Sequence, residues 1–301
     1  MEISNKNILI TGGLGFIGSN LARRLLECGN SVVVVDSLIT EYGGNLRNLH
    51  DIRDKIVINL SDVRDPFSIN QLIKGQDYLF NLAGQTSHLD SMNDPFTDLD
   101  INAKAQLSIL EACRMNNPNI RIVFASTRQI YGKPQYLPVD EKHPLNPVDV
   151  NGINKIAGEQ YHLLYNKVHG IRSTALRLTN TYGPRMRIKD ARQTFLGIWI
   201  RNLLEEKPIQ VYGDGQQRRD YNYVDDLVDA LIIAATESDA IGGVYNLGAP
   251  DPMSLSETAS IMCHGIKGAS WNLVPFPKER KAIDVGDFIC DYSLFSSAFG
   301  W

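Results

Sequence analysis

A glycine-rich segment near the amino terminus has the residue types and the spacing of a site for phosphate groups. Glycines stand at positions 12, 15 and 18, directly after the apolar run 8–10 and at the start of a helical pattern. This spacing permits a tight turn, close approach of the backbone to a pyrophosphate, and close packing of a helix on a strand. The helix amino terminus adds free N–H groups and a partial positive charge. The segment therefore predicts a dinucleotide site.

Asp36 indicates which dinucleotide binds there. It ends the apolar run 32–35, lies 18 residues beyond Gly18, and is not followed by an arginine in the next three residues. A carboxylate at this place can accept hydrogen bonds from both ribose hydroxyls of the adenosine, and it would repel a 2′-phosphate. The sequence therefore favours NAD over NADP.

Short apolar runs that alternate with helical patterns predict the elements that position this site. The predicted strands are 8–10, 32–35, 56–58, 78–80, 122–125 and 174–176, and the longest predicted helices cover about 98–115 and 150–168. Continuous apolar strands alternating with helices are typical of a parallel sheet that is covered on both faces. We therefore predict an α/β fold with a doubly wound, Rossmann-type sheet.

Turn signals become frequent after Leu178, which indicates a second, smaller lobe. The run 244–247 still has the pattern of a buried strand that could return to the main sheet. We therefore expect an NAD-binding, Rossmann-type domain in 1–178 and 220–249, and an interleaved α/β substrate-binding lobe in 179–219 and 250–301.

The composition excludes several classes of protein. Among the 301 residues, Lys+Arg total 30 and Asp+Glu total 34, so the net charge of -4 lacks the basic excess of a nucleic-acid-binding protein. The hydrophobic fraction of 43% excludes an intrinsically disordered chain. No apolar run approaches the roughly 18 residues of a membrane span. The first five residues lack the pattern of a secretory signal.

The four cysteines point to a reducing compartment. Cys28, Cys113, Cys263 and Cys290 are far apart along the chain and lack the paired spacing of zinc ligands. We therefore expect free thiols, no metal and a cytoplasmic location.

The glycine spacing and Asp36, together with later segments, resemble the extended short-chain dehydrogenase/reductase family of nucleotide-sugar epimerases and dehydratases. The later segments that carry the resemblance are Asp62-Val63, Asn81-Leu82-Ala83-Gly84, Ser126-Thr127-Arg128-Gln129-Ile130-Tyr131-Gly132, the run 176–185 and Arg219-Asp220-Tyr221. They occur in the order of the family, and the resemblance covers nearly the whole chain.

The resemblance implies an enzyme that oxidises a sugar hydroxyl to a ketone by hydride transfer to NAD and then usually returns the hydride. It implies a cofactor site formed by Gly12, Gly15, Phe16, Ile17, Gly18, Asp36, Asp62, Val63, Leu82, Ala83 and Lys155. It also implies a nucleotide-diphosphate-sugar site formed by Thr127, Asn180, Arg219 and either Arg280 or Lys281. Tyr212 is a candidate for stacking on the nucleotide base, with a packing role as the alternative.

One catalytic position departs from the family. The family has a tyrosine four residues before the lysine on one helix face, whereas this chain has Asn151 four residues before Lys155. Thr127 keeps the place of the family's Ser/Thr. A carboxamide cannot accept a proton near pH 7, and losing a positioned base costs about 10²–10⁴ in rate. The candidates for a replacement catalytic base are Tyr131, His88, Tyr161, and Lys155 acting through a water.

The departure leaves three interpretations open. The first is an active epimerase with an atypical base. The second is a non-catalytic protein that binds NAD and a sugar nucleotide, and the third is an engineered change of tyrosine to asparagine. Dehydration is disfavoured, because Arg128 and Gln129 stand where many dehydratases of the family have Asp-Glu, and neither side chain can perform paired proton transfer.

The resemblance also implies a homodimer. In the family, two helices of each subunit form a four-helix interface, and the equivalent helices here carry broad apolar faces. The residues on these faces are Gln106, Leu107, Leu110, Ile156, Tyr161, Leu163 and Leu164. Packing within one chain is the alternative explanation for these faces.

Overall fold

The elements of the computed structural model, which describes residues 3–301, follow the predicted alternation of strands and helices. The strands are β1 (Asn7–Thr11), β2 (Ser31–Val35), β3 (Val57–Asn59), β4 (Tyr78–Asn81), β5 (Arg121–Thr127), β6 (Arg172–Leu178), β7 (Asn180–Tyr182), β8 (Ile209–Tyr212), β9 (Arg218–Arg219), β10 (Tyr221–Tyr223), β11 (Val244–Leu247), β12 (Met253–Ser254) and β13 (Trp271–Val274). The helices are α1 (Phe16–Glu27), α2 (Pro66–Leu72), α3 (His88–Asn93), α4 (Pro95–Leu99), α5 (Ala105–Asn116), α6 (Val150–His169), α7 (Phe195–Leu204), α8 (Val224–Thr236), α9 (Leu255–Cys263), α10 (Lys278–Ala282) and α11 (Ser293–Phe299).

Seven strands form one parallel sheet in the order β11-β6-β5-β4-β1-β2-β3. The chain fills one side of β1 with β2 and β3, and then the other side with β4, β5, β6 and β11. The strand order therefore reverses between β1 and β4, which is where open α/β sheets bind ligands at the carboxyl ends of their strands. The predicted doubly wound α/β fold is confirmed.

The apolar runs of the central strands are continuous because helices cover both faces of the sheet. Ile8, Ile10 and Val34 face one core with α1 and α8, and this core includes Leu21 and Leu231. Alternate residues of the same strands face the opposite core, which α2 and α5 close. Successive side chains of a strand point to opposite faces, so both halves of each run are buried.

The smaller lobe contains short pairs of strands. β7 pairs with β10 and β8 with β13 in parallel, whereas β9 pairs with β12 antiparallel. The run 244–247 returns to the main sheet as β11, with Tyr245 in register with Leu176 of β6. The predicted boundaries between the two domains, at 178/179, 219/220 and 249/250, stay predictions. Residues 1 and 2 of the first predicted domain lie outside the described residues.

The predicted helix over 98–115 differs in detail from the structure. It consists of α4, a π-helical turn over Asp100–Lys104, and α5. This wider turn contains Asn102, whose side chain donates to the Gln85 carbonyl (2.9 Å) and to the buried Asp98 carboxylate (3.0 Å). Such π turns are frequent at functional sites, and an apolar pattern does not reveal them. No helix among residues 3–301 is long and apolar enough to cross a membrane.

Candidate active site

The glycine segment forms a turn that leaves its backbone open to a ligand. Gly12 has a φ of +69°, and its N–H donates to the Val35 carbonyl at 2.8 Å. A Cβ on Gly18 would lie 2.3 Å from the Gly12 oxygen, and one on Gly15 would lie 3.1 Å from the same atom. Side chains at these positions would fill the space between the turn and α1. The turn therefore fits the pyrophosphate of a dinucleotide.

We expect Gly18→Ala to weaken NAD binding by about tenfold or more, because the added Cβ has to displace the Gly12 backbone that faces the pyrophosphate. Titration of NAD into the variant, followed by calorimetry, measures this effect. Gly75→Ala is the control, because a Cβ there has nothing within 4 Å and strains only a remote left-handed turn at φ +73°. Equal NAD affinities for Gly18→Ala and the wild type would contradict the assigned role of the turn.

Asp36 and Asp62 are two carboxylates at the end of the cleft where the sequence predicts the adenosine. Asp36 accepts hydrogen bonds from the N–H groups of Leu14 (3.0 Å) and Leu38 (2.9 Å). Burial raises the pKa of Asp36, and these two bonds oppose the rise. Arg64 holds Asp62 through Nε (2.9 Å) and Nη2 (2.7 Å), which keeps the pKa of Asp62 below its usual value. Backbone and side-chain donors thus fix the direction of both carboxyl groups.

Thr11 fixes the opposite wall of this cleft. Its Oγ1 donates to Asn81 Oδ1 (2.8 Å) and accepts from the N–H groups of Leu82 (3.1 Å) and Ala83 (3.2 Å). The cleft brings together all the residues predicted for the cofactor, namely Gly12, Gly15, Phe16, Ile17, Gly18, Asp36, Asp62, Val63, Leu82, Ala83 and Lys155. It is therefore a single continuous site from the glycine turn to the lysine on α6.

Lys155 stands at the far end of the cleft. Its Nζ donates to the Ala125 carbonyl at 3.1 Å and lies 5.2 Å from the centre of the Phe124 ring. Burial lowers the pKa of Lys155 to about 8, and the Asp98 carboxylate opposes the fall. A Cβ on Gly84 would come within 2.9 Å of Nζ, so the glycine provides the space that the amine occupies.

Asn151 borders the same cleft but is held by buried partners. Its Nδ2 donates to the Gln85 carbonyl (2.7 Å) and to Asp98 Oδ2 (3.0 Å). Asp98 is fully buried and also accepts from Asn102 (3.0 Å) and Asn154 (2.8 Å). We call Asp98, Asn102, Asn151 and Asn154 the Asp98 cage. Asn151 thus serves as a donor to a buried carboxylate, a role that sequence reasoning missed.

The structure contradicts Tyr131 as a candidate base. Its side chain is fully buried, and its hydroxyl donates to Asn246 (2.7 Å) and accepts from Arg177 (2.6 Å). Burial raises the pKa of Tyr131 well above its usual value, and the residue does not border the cleft. Tyr161 is also excluded, because it packs against the core that α2 and α5 close.

His88 is a candidate base that lies in the cleft. It is the first residue of α3, and its Nδ1 is 2.9 Å from Asp149 Oδ2. Asp149 is buried, caps α6 by accepting from the Gly152 N–H (2.7 Å), and accepts from Gln129 Nε2 (3.0 Å). Burial raises the pKa of Asp149, but the contact with His88 and the hydrogen bonds from Gly152 and Gln129 together outweigh it and leave the pKa below its usual value. His88 Nδ1 and Asp149 Oδ2 lie at ion-pair distance, although Nδ1 is not aligned for a hydrogen bond. A small rotation of the imidazole would let Nδ1–H donate to an ionised Asp149, with Nε2 left to accept.

A second cleft, lined by the smaller lobe, opens from the first. Arg219, Arg280 and Tyr212 border it, and the Arg280 guanidinium lies 5.9 Å from the centre of the Tyr212 ring. Lys281 is exposed and is not part of this lining, so Arg280 is the member of the predicted pair that reaches the cleft. The residues that border both clefts are His88, Arg128, Gln129, Asn180, Gln193 and Thr194.

The comparisons with known proteins agree with this architecture. Residues 8–248 match the model of the NAD dependent epimerase/dehydratase family. The UDP-glucose 4-epimerase of Mycolicibacterium smegmatis is 32% identical over 243 residues, which are 80% of this chain and 76% of that protein. The UDP-glucose 4-epimerase of Thermotoga maritima, solved with UDP-glucose, superposes with a TM-score of 0.88 at 28% identity, covering 98% of this chain and 93% of the other. The UDP-glucose 4-epimerase of Thermus thermophilus, solved with NAD, gives a TM-score of 0.86 at 28% identity, with the same coverage.

Proposed function

Because the chain belongs to the NAD-dependent epimerase/dehydratase family, whose cofactor is NAD, we propose that it is a nucleotide-diphosphate-sugar epimerase with His88 as its base. The observation that carries the proposal is the meeting of the two clefts. Thr127 borders the cofactor cleft, and His88 borders both clefts next to the buried Asp149. A sugar in the second cleft can therefore present a hydroxyl to an imidazole at the cofactor end.

The proposed roles follow from the contacts of each side chain. Bound NAD supplies the acceptor and donor of hydride. His88 Nε2 accepts the proton of the sugar hydroxyl, and Asp149 stabilises the imidazolium that forms. Thr127 orients the sugar oxygen, while Lys155 holds the nicotinamide ribose. When the ketone is reduced again from its other face, His88 returns the proton and the configuration is inverted.

The diphosphate of the substrate would lie deeper in the second cleft. Arg219 is buried there, and a guanidinium can contact a phosphate bidentately. Asn180 borders both clefts, so it can reach the phosphate nearer to the sugar. Epimerisation is favoured over dehydration because Arg128 and Gln129 offer no acid–base pair for removing water.

A panel of UDP-, GDP-, dTDP- and CDP-sugars tests the proposal. Each sugar is incubated with the NAD-loaded protein, while the absorbance of bound NADH and the sugar products are followed. We expect transient NADH and an epimeric sugar with at least one nucleotide. A nucleotide sugar that binds tightly but gives neither NADH nor product would instead identify a non-catalytic binding protein.

We also propose that the protein is a homodimer through α6. Ile153, Leu164 and Val168 lie on one face of this helix and are 55%, 51% and 60% exposed. Gln106 and Leu110 of α5 are fully buried within the chain, so they belong to its own core. Light scattering should give twice the mass of one chain, and Leu164→Glu should lower it. A monomeric wild type would refute the proposal.

A cytoplasmic location is a further part of the proposal. Cys113, Cys263 and Cys290 are free thiols, and Cys113 and Cys290 are buried. Free thiols are typical of a reducing compartment. Fractionation of the source cells with an antibody against the protein measures the location directly.

A further inference from the structure

The Arg128 side chain is half-buried, and one nitrogen of its guanidinium is shielded from water without a partner among the described residues. Its Nη1 is shielded from solvent and has no hydrogen-bond partner. Nη2 lies 3.5 Å from Asn180 Oδ1, a long contact, and the guanidinium carbon lies 5.0 Å from the centre of the Phe288 ring. Within residues 3–301, Arg128 forms no ion pair with a carboxylate.

Two buried arginines show the partners that a guanidinium can find within this chain. Arg177 donates to both carboxylate oxygens of Glu159, at 2.6 and 3.1 Å. Arg121 donates to the carbonyls of Ala234 (2.7 Å) and Glu237 (2.5 Å), although its Nε lacks a hydrogen-bond partner among the described residues. A guanidinium that is shielded and unpaired is costly to fold, and such a group in a ligand cleft indicates that an anionic ligand completes it.

The position of Arg128 indicates which part of the ligand it meets. It directly follows Thr127, so their Cα atoms are about 3.8 Å apart, and it borders both clefts. Arg219 borders only the second cleft. The two arginines therefore serve different parts of a bound nucleotide sugar, with Arg128 beside the ring that reacts and Arg219 further along the diphosphate.

The nearby carboxylates do not satisfy Arg128. Asp220 uses Oδ2 to accept from the Cys290 N–H at 3.2 Å, and its Oδ1 is shielded without a hydrogen-bond partner. Asp284 lies 3.7 Å from the Arg219 guanidinium. Burial lowers the pKa of Arg128 to about 10, with repulsion by Arg219 as a further cause, so the group is still charged at neutral pH.

We propose that Arg128 binds a carboxylate on the sugar, so that the substrate class is a nucleotide-diphosphate uronic acid or a similar acidic hexose. The inference rests on the proposed function for the orientation of the sugar toward Thr127. The planar fork of a guanidinium matches a carboxylate bidentately, and Nη1 is the donor that this contact would satisfy. The neutral Gln129 beside it adds no repulsion.

Calorimetric binding to the NAD-loaded protein tests the proposal with matched probes. UDP-glucuronate has a carboxylate where UDP-glucose has a hydroxymethyl group, and the two are otherwise the same. The Kd of UDP alone measures the affinity for the nucleotide and its diphosphate. We expect UDP-glucuronate to bind about tenfold or more tightly than UDP-glucose. Arg128→Gln should reduce this ratio to about one while changing the Kd of UDP by less than about threefold.

The outcomes separate the two anionic groups that Arg128 could contact. Equal Kd values for the two sugars in the wild-type protein, or no binding of either, would overturn the proposal without any variant. If Arg128→Gln weakens UDP as much as UDP-glucuronate, the guanidinium serves the diphosphate, and the proposal is also wrong. Arg53→Gln, at an exposed residue remote from both clefts, is the matched control.

These binding measurements do not depend on turnover. Carboxylate selectivity can therefore hold even if the panel of nucleotide sugars yields neither NADH nor product. Conversely, an active epimerase that prefers the neutral sugar would refute only the role of Arg128.

Discussion

Replacing His88 by asparagine should lower kcat by about 10²–10⁴, which is the usual contribution of a positioned acid–base group. The asparagine keeps a polar side chain at the start of α3, but it cannot accept the proton of the sugar hydroxyl near pH 7. The affinity for the nucleotide sugar should change little, because the phosphate contacts involve other residues. Initial rates with the substrate found in the panel, together with Kd values from calorimetry, measure both quantities.

His50→Asn is the control for this variant, because His50 is exposed and lies outside both clefts. Retention of the wild-type kcat by His88→Asn would transfer the role of base to Lys155 acting through a water. A loss of affinity with unchanged kcat would make His88 a binding residue.

Replacing Lys155 by methionine should sharply lower kcat and yet stabilise the NAD-free protein near pH 7. The amine is needed at the cofactor end of the cleft. Burial disfavours its charge there and therefore lowers its pKa from 10.5 to about 8. The difference corresponds to about 3 kcal/mol of unfolding free energy. The lost hydrogen bond to the Ala125 carbonyl offsets about 1 kcal/mol of the gain.

The pH dependence of this gain has a defined sign. Below pH 8 both folded and unfolded chains hold the proton, so the folded wild type carries the whole penalty. Between about pH 8 and 10.5 the folded protein has released the proton that the unfolded chain keeps, and the penalty falls by about 1.4 kcal/mol per pH unit. Urea unfolding at pH 7 and 9.5 should therefore show a gain that shrinks with pH.

Lys74→Met is the matched control, because Lys74 is exposed and its amine contacts only Gln71 at 3.0 Å. It should change neither kcat nor the pH dependence of unfolding. An unchanged rate in Lys155→Met would mean that α6 has no part in the chemistry. A gain in stability that does not depend on pH would mean that burial of the charge is not its cause.

Local patterns explain how much of the fold and the cofactor cleft could be predicted from the sequence. Local structure depends on contacts between neighbours in the same strand or turn, as in the apolar run 32–35 and the glycines at 12, 15 and 18. The spacing of such residues along the sequence is therefore enough to predict the strand or turn that they form. The predicted cofactor residues therefore line one cleft. The apolar pattern of 244–247 also indicates that this run could return to the main sheet, where it forms β11.

Long-range contacts explain what the sequence could not provide. Tyr131 lies in a segment that resembles a catalytic one, but Asn246 and Arg177 from other strands occupy its hydroxyl. His88 and Asp149 are far apart along the chain, so only the fold shows the contact between them. The lack of a strong partner for Arg128 is likewise visible only in the fold, although the sequence already shows an arginine where many dehydratases of the resembled family have an acidic residue.

The Asp98 cage has a consequence for which side chains position 151 can accept. A tyrosine at position 151 would remove one of three side-chain donors from a fully buried carboxylate, at a cost of about 1–3 kcal/mol. We therefore expect Asn151→Tyr to melt at a lower temperature than the wild type while still binding NAD. A tyrosine at position 151 would therefore need accompanying changes at Asp98 or its other asparagines to keep the buried carboxylate satisfied, so the four residues constrain one another.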